Sequence, residues 1–312
     1  MFKYIAQRLI LSIPVFLGVA TIVFLVVRVI PGDPAVASLG DYASKEAVEA
    51  LRQRMGLNDS LPVQYAHFLV GLARGDLGTS MITGTSIRDD ILHVLPFTLE
   101  LTVLAIIIGT CLGIPIGVYA AIRRNRLADY LGRVLSLAGL SVPAFYLGIL
   151  LILLLAIHLG WLPAVGGGGM EDLGENFRHL ILPALTLGLV MTASVARLAR
   201  SAMLNVLRQD YVRTARAKGL RERVVNLRHA LRSALIPIVS VTGIWAVSLI
   251  GDSVTVELVF ARPGLGKMMV GAILQRDYTA LQSIMVVYTG FVVVINLLVD
   301  LIYGWVDPRI RH

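Results

Sequence analysis

Ionisable side chains interrupt several otherwise aliphatic stretches of this 312-residue chain: Arg28, Glu100, Asp252, Glu257 and Asp300. A charge held at the centre of a bilayer costs at least about 2.5 kcal/mol, so in such a stretch it is kept for a reason unless it can reach water. Arg28 and Glu100 stand near the ends of their stretches, where a long side chain extends to the interface. Asp252 and Glu257 lie in one half of the fifth stretch. They are candidates to line a polar path or form its outer gate, to pair with a neighbouring helix, or to reach water. Asn296, one turn before Asp300, is either a path residue or half of a buried polar pair.

Enzymatic chemistry finds little to work with. A phosphate-cradling loop needs G-x4-G-K-[ST], because its backbone N–H groups and lysine hold the β- and γ-phosphates. The nearest approach, Gly266-Lys267, is followed by Met268, and Ala261 stands where the first glycine belongs. There is no H-E-x-x-H, and the histidines at 67, 93, 158, 179, 229 and 312 never pair at helical spacing, so a protein-held catalytic metal is not expected. No G-x-S-x-G occurs. The single cysteine, Cys111, excludes an internal disulfide framework and a cysteine-based zinc cage.

The elements that must carry these residues are helices in lipid. The chain is 56% hydrophobic and 15% charged, with a mean hydropathy of +0.78. Soluble domains run near 25% charged, so too little polar surface is available here for a water-soluble globule. Apolar runs long enough to span occur at Leu9 to Val27, continuing to about residue 30, and at about 97–122, 134–159, 180–196, 236–256 and 284–305. Alternation with period two, the mark of a membrane barrel, is absent. The expectation is an all-α membrane protein with six transmembrane helices. The first run exceeds the length of a signal-peptide core and is expected to be retained.

Charge sets the orientation. Arg123, Arg124, Arg126 and Arg133 face only Asp129 in the second connection, and residues 197–236 hold ten basic residues against Asp210 and Glu222. Residues 31–98 hold five basic and eight acidic. Lysine and arginine concentrate in cytoplasmic loops, so both termini and the even connections are expected inside. The net charge of +8 then reads as orientation. A nucleic-acid partner is not expected, since the basic segment is tethered to the bilayer at both ends.

Two connections are informative. Residues 31–96 are too long for a passive link and carry amphipathic stretches (44–55, 62–73), which suggests a small extracytoplasmic subdomain. In the loop 197–235, Asp210 to Lys218 reads as a short helix with an acid at its start, and Gly219 is its stop. The small residues Thr214, Ala215 and Ala217 would let a partner's backbone approach. Gly109, Gly113 and Gly117 recur at four-residue spacing as a close-packing face for another helix, its own or a partner's. No broken mid-span helix is evident.

The loop resembles the EAA loop of permease subunits of ATP-binding-cassette importers, E-A-A-x3-G-x9-I-x-L-P. Arg213-Thr214-Ala215 and Gly219 occupy the E-A-A and G positions. Arginine replaces the glutamate, and the proline, Pro237, comes five residues late. Both departures are similar to the B-type permeases of the dipeptide and oligopeptide branch. So are Pro31-Gly32-Asp33-Pro34, Gly75-Asp76-Leu77-Gly78-Thr79-Ser80, Ser141-Val142-Pro143-Ala144-Phe145, Gly160-Trp161-Leu162-Pro163, Val259-Phe260 with Pro263-Gly264-Leu265-Gly266, and Asp307-Pro308-Arg309. The ordered set covers nearly the whole chain.

The resemblance implies a type I importer transmembrane domain in a bacterial cytoplasmic membrane. It implies no catalysis and no cofactor in this chain, with ATP and magnesium on partner subunits. The expected partners are a second, related permease, two cytoplasmic ATPases, an extracytoplasmic solute-binding protein and lipid. Asp210, Arg213, Thr214, Ala215, Arg216, Lys218 and Gly219 would be the ATPase-coupling residues. Expected cargo is a dipeptide or oligopeptide, with glutathione or nickel as alternatives within the branch. An ion-coupled carrier without an ATPase is the alternative from another class.

Overall fold

A computed structural model describes residues 2–29, 34–39, 43–54 and 56–306. The segments Pro31-Gly32-Asp33 and Asp307-Pro308-Arg309 lie outside the described residues. In chain order the helices are α1 (Phe2–Val29), α2 (Pro34–Leu39), α3 (Lys45–Arg54), α4 (Leu61–Ala73), α5 (Ile87–Ile122), α6 (Leu127–Ser141), α7 (Ala144–Leu151), α8 (Leu173–Val206), α9 (Asp210–Ala217), α10 (Glu222–Val224), α11 (Leu231–Val259), α12 (Leu265–Gln275) and α13 (Tyr278–Val306). Two stretches of π-helix, Ile152–His158 and Val225–Ala230, continue α7 and lead into α11. Among the described residues the only β-pairing is an isolated bridge between Thr79 and Ser86.

Among the described residues five helices are long and apolar enough to cross a membrane, and a sixth crossing follows if α6 and α7 with its π-helical continuation count as one bent span. That bend is 104° and corrects the continuous third span expected over 134–159. Its cause is local. Pro143 offers no N–H to the helix ladder, and its ring pushes the preceding residue out of the helical region. Val142 is extended, at φ −93° and ψ 121°. Several helices also outrun their apolar cores. Helix α5 starts ten residues before Phe97, and α8 continues to Val206, well into the polar loop expected from residue 197.

The chain divides into two compact units, one built on Phe97–Arg262 and one on Ala6–Pro96 with Pro263–Val293. In the first, α8 is the hub: 72% of its most apolar window is buried, against 22% for that of α1. Small residues make this possible. The glycines of α5 lie against α8, where an added Cβ would sit 2.6 Å from Met191 at Gly109, 2.7 Å from Val195 at Gly113 and 2.3 Å from the Ala196 carbonyl at Gly117. The face predicted from glycine spacing is therefore used within the chain. Leu101, Ala105, Leu187, Met191, Leu249 and Phe260 are among the residues of this core.

In the second unit Ile87, Ile91, Leu265, Leu281 and Ile284 form one cluster, and Ala20, Val23 and Val286 a smaller one capped by Phe68 and Leu72. Asp277 ties the connection before α5 to the start of α13, accepting a 2.5 Å hydrogen bond from the Ser80 hydroxyl.

Candidate functional site

The turn between α8 and α11 is built around three buried side chains, Val212, Ala215 and Val225, with Val206 and Leu207 packed on them. Helix α9 opens after an extended Gln209, and carries Asp210 in its first turn and Arg216 in its last, the signs that a helix dipole favours. Gly219 closes it in the left-handed conformation, φ +78°. Its N–H donates to Arg216 O at 2.9 Å and that of Leu220 to Ala215 O at 3.4 Å, the two bonds of a Schellman cap. A Cβ at Gly219 would meet nothing within 4 Å, so the glycine is needed for its φ and not for space. Arg216 then donates from Nε to Glu222 Oε1 at 2.8 Å, closing α9 onto α10.

Of the residues expected to meet a partner, Asp210, Arg213, Thr214, Arg216, Lys218 and Gly219 are exposed. Arg213 pairs with Asp210 across one turn, at 3.5 Å. Ala215 is different: it is 7% exposed and faces the core of its own turn. Its small size serves the packing beneath α9, while Thr214 and Ala217 remain on the open face.

The charges within spans separate in the same way. Glu257 is fully buried and accepts a 2.8 Å hydrogen bond from the Thr98 hydroxyl, so in this conformation it faces helix packing and not an open path. Glu100 does not simply reach for the interface. Its carboxylate accepts from Arg262 and from Asn176 Nδ2 at 2.9 and 3.1 Å, and Arg262 also donates to Asn176 Oδ1 at 2.8 Å. Arg262 is completely buried, stands 5.2 Å from the Phe97 ring centroid, and leaves its Nε without a partner among the described residues. Burial pushes its guanidinium below the usual arginine range, and the Glu100 and Glu257 carboxylates oppose that shift. Arg262 and Asn176 escaped the sequence reading because both lie outside the apolar runs. The only cue is backbone strain in the preceding residue, Ala261 at φ +48°, which sequence does not display.

Asp252 stays half-buried on α11, with no side-chain partner among the described residues, and Asn296 is exposed on α13. The side chain of Asp300 lies outside the described set. A second buried ion pair was missed: Asp129, read only as a lone acid among arginines, is buried and gripped by Arg200 through both oxygens, with Nη2 to Oδ2 at 3.0 Å. No group of three or more metal-ligating side chains occurs among the described residues.

This arrangement of helices is shared with solved transporters. A crystal form of the MetNI methionine ABC transporter in inward-facing conformations matches with a TM-score of 0.55 at 20% identity, covering 70% of this chain and 96% of that one. An amino acid ABC transporter with histidines matches at 0.54 and 16%, covering 69% and 93%. Two family models then account for the sequence: the binding-protein-dependent transport system inner membrane component over residues 113–312, and its N-terminal membrane component over 1–102. The chain belongs to this family of inner membrane components.

Relatives match end to end. The dipeptide transport system permease protein DppB of Alkalihalophilus pseudofirmus is 39% identical, and the glutathione transport system permease protein GsiC of Pectobacterium atrosepticum 42%, each with 100% of both chains covered. This inner membrane component is thus a permease subunit of an ATP-driven importer, non-catalytic itself, with the type I importer fold and ATP hydrolysis in separate subunits.

Proposed function

We propose that this permease moves short peptides, including glutathione-like ones, into the cytoplasm, and that the α9 turn is where an ATPase subunit grips it. The observation that carries this reading is the construction of the turn. Helix α9 is a short cationic helix with an outward face of Arg213, Thr214, Ala217 and Lys218, held by a minimal core between the long helices α8 and α11. The names of the full-length relatives, a dipeptide and a glutathione permease, support the cargo; nickel is the alternative that the sequence resemblance implies.

In this reading both termini and the α9 turn lie in the cytoplasm, and residues 31–96 form an extracytoplasmic subdomain facing a solute-binding protein. A second, related permease completes the pathway, and Asp252 and Asn296 face it. Two ATPases carry the ATP and magnesium. Each docks on one permease, and their closure on ATP drives the switch from inward-facing to outward-facing. Coupling of this kind requires that the ATPase contact the two states differently, because a ligand that binds both equally shifts neither.

The experiment is peptide uptake into vesicles holding the complete transporter, with Arg213→Glu and Ala217→Trp variants. Both change only the open face of α9. Uptake should fall at least about tenfold, with loss of co-purifying ATPase, as expected for removal of about 1.4 kcal/mol or more of coupling. Unchanged uptake in both variants rejects the docking role. Uptake abolished by a protonophore and indifferent to vanadate would instead indicate an ion-coupled carrier.

A further inference from the structure

The unit built on Ala6–Pro96 and Pro263–Val293 contains a cavity of about 690 Å³, within the range of roughly 300–1,000 Å³ common to small-molecule sites. Its walls come from the end of α1, one side of α4, the segments that follow α3 and α4, and the start of α13. Leu57, Phe68, Leu72 and Val286 make much of the wall apolar, and Arg28 and Arg52 give it a cationic side.

Arg28 is the residue that gives the cavity chemistry. A guanidinium has five N–H donors. Here Nε donates to Gln64 Oε1 at 3.0 Å, and Nη1 to Gln282 Oε1 at 3.0 Å and Phe24 O at 3.2 Å. The guanidinium carbon lies 3.5 Å from the Phe24 ring centroid. Gln64 is itself fixed, donating from Nε2 to Asp59 O at 2.9 Å and Leu57 O at 3.2 Å, so its oxygen is aimed at Arg28. All of these acceptors are neutral. The two protons on Nη2 have no acceptor among the described residues, and no carboxylate there pairs with Arg28.

Arginines shielded to this degree elsewhere in the chain are treated differently. Arg200 is matched by Asp129, and Arg262 by Glu100. A half-buried guanidinium held rigid by neutral groups keeps its charge and its outer N–H edge available for a planar oxyanion. Arg52 is already occupied at the rim, 3.4 Å from Glu49, and Asp76 in the lining accepts the Gly78 N–H at 2.9 Å.

We propose that this cavity is a binding site for an oxyanion on a partly apolar molecule, a carboxylate or a phosphate, with Arg28 Nη2 as its principal donor. Arg28 is in the last turn of the apolar run Gln7–Val29, and the end of a span of that length is where lipid headgroups are expected. Two sources are therefore within reach: the phosphate of a phospholipid and the terminal carboxylate of a free peptide-sized solute. The proposal does not depend on the α9 reading, since it concerns binding and not uptake.

The test is equilibrium dialysis of the purified transporter in detergent, without its solute-binding protein, against dihexanoyl phosphatidylglycerol and, separately, against the dipeptide Ala-Phe. Arg28→Gln should weaken binding of at least one probe about 10- to 100-fold, the effect of losing a hydrogen bond to a charged group. Loss for the lipid alone assigns a headgroup site, and loss for the dipeptide alone a solute site. Leu61→Trp, at an exposed position on the cavity wall, occludes the space without touching the Arg28 contacts, and should weaken the same probe. Co-purification of the partner subunits verifies that each variant is folded. If neither probe responds to Arg28→Gln, or if Leu61→Trp leaves binding intact, the proposal is overturned.

Discussion

The seam where α5 meets α8 and the turn that follows α8 are adjacent in sequence and opposite in design. Along the seam Gly109, Gly113 and Gly117 press against Met191, Val195 and Ala196, with no room for a methyl group. In the turn, a core of Val212, Ala215 and Val225 supports an exposed charged face, and even the glycine stands in open space. Helix α8 runs through the seam and ends at the turn, so one rigid element joins a place that tolerates almost no change to one that tolerates much. In lipid, where helices gain nothing from burying apolar area against each other, close backbone approach is what binds them. The turn lies outside the apolar runs and needs only enough core to keep its shape.

Five substitutions measure that difference, beginning with the largest effect. Gly117→Val places a branched side chain onto the Ala196 carbonyl and the Ala199 Cβ, which would lie 2.3 and 2.7 Å from a Cβ there. Overpacking against backbone should cost about 3 kcal/mol or more, read as loss of monodisperse protein after detergent extraction. Gly109→Ala is milder, because it meets only the Met191 side chain: Cγ and Sδ can swing away, although Cβ, 2.7 Å from the added methyl, must shift with α8, and the change should cost about 1–2 kcal/mol in thermal stability. Ala215→Asp buries a carboxylate under α9 and should open the turn alone. Hydrogen exchange would rise across 207–225 while the seam stays protected, and an equal rise in both would erase the contrast. Gly219→Ala forces a left-handed φ on alanine for about 1 kcal/mol, with insertion and most uptake retained. Outward changes such as Glu222→Gln, which loosens the exposed pair with Arg216, should shift stability by only a few tenths of a kcal/mol.

The sequence was legible where one physical constraint dominates. Apolar run length located the spans, glycine spacing located the seam, and the acid-to-glycine pattern located α9 almost to the residue. Reading failed where two constraints share one signal. Small size at Ala215 suits a partner's approach and equally suits self-packing, and only the fold decides between them. Glu100 looked like a residue reaching for water because its partners, Asn176 and Arg262, are 76 and 162 positions away and carry no apolar pattern. The bend at Val142 was spelled out by Pro143, yet hydropathy counts side chains and not directions, so a broken span and a straight one score alike.

That bend gives the chain an elbow. Its first arm, α6, has 15 residues and is about 22 Å long at 1.5 Å per residue, too short to cross a hydrocarbon layer of about 30 Å by itself. Both arms rest on α8, with Gly139 of α6 against Ala193 and Gly148 of α7 near Thr186. Over an arm of that length, a swing of about 5° carries the tip through about 2 Å, enough to exchange one set of side-chain contacts for another. A small roll of α8 beneath the arms would emerge as a sideways sweep, converting torque along one axis into displacement along another.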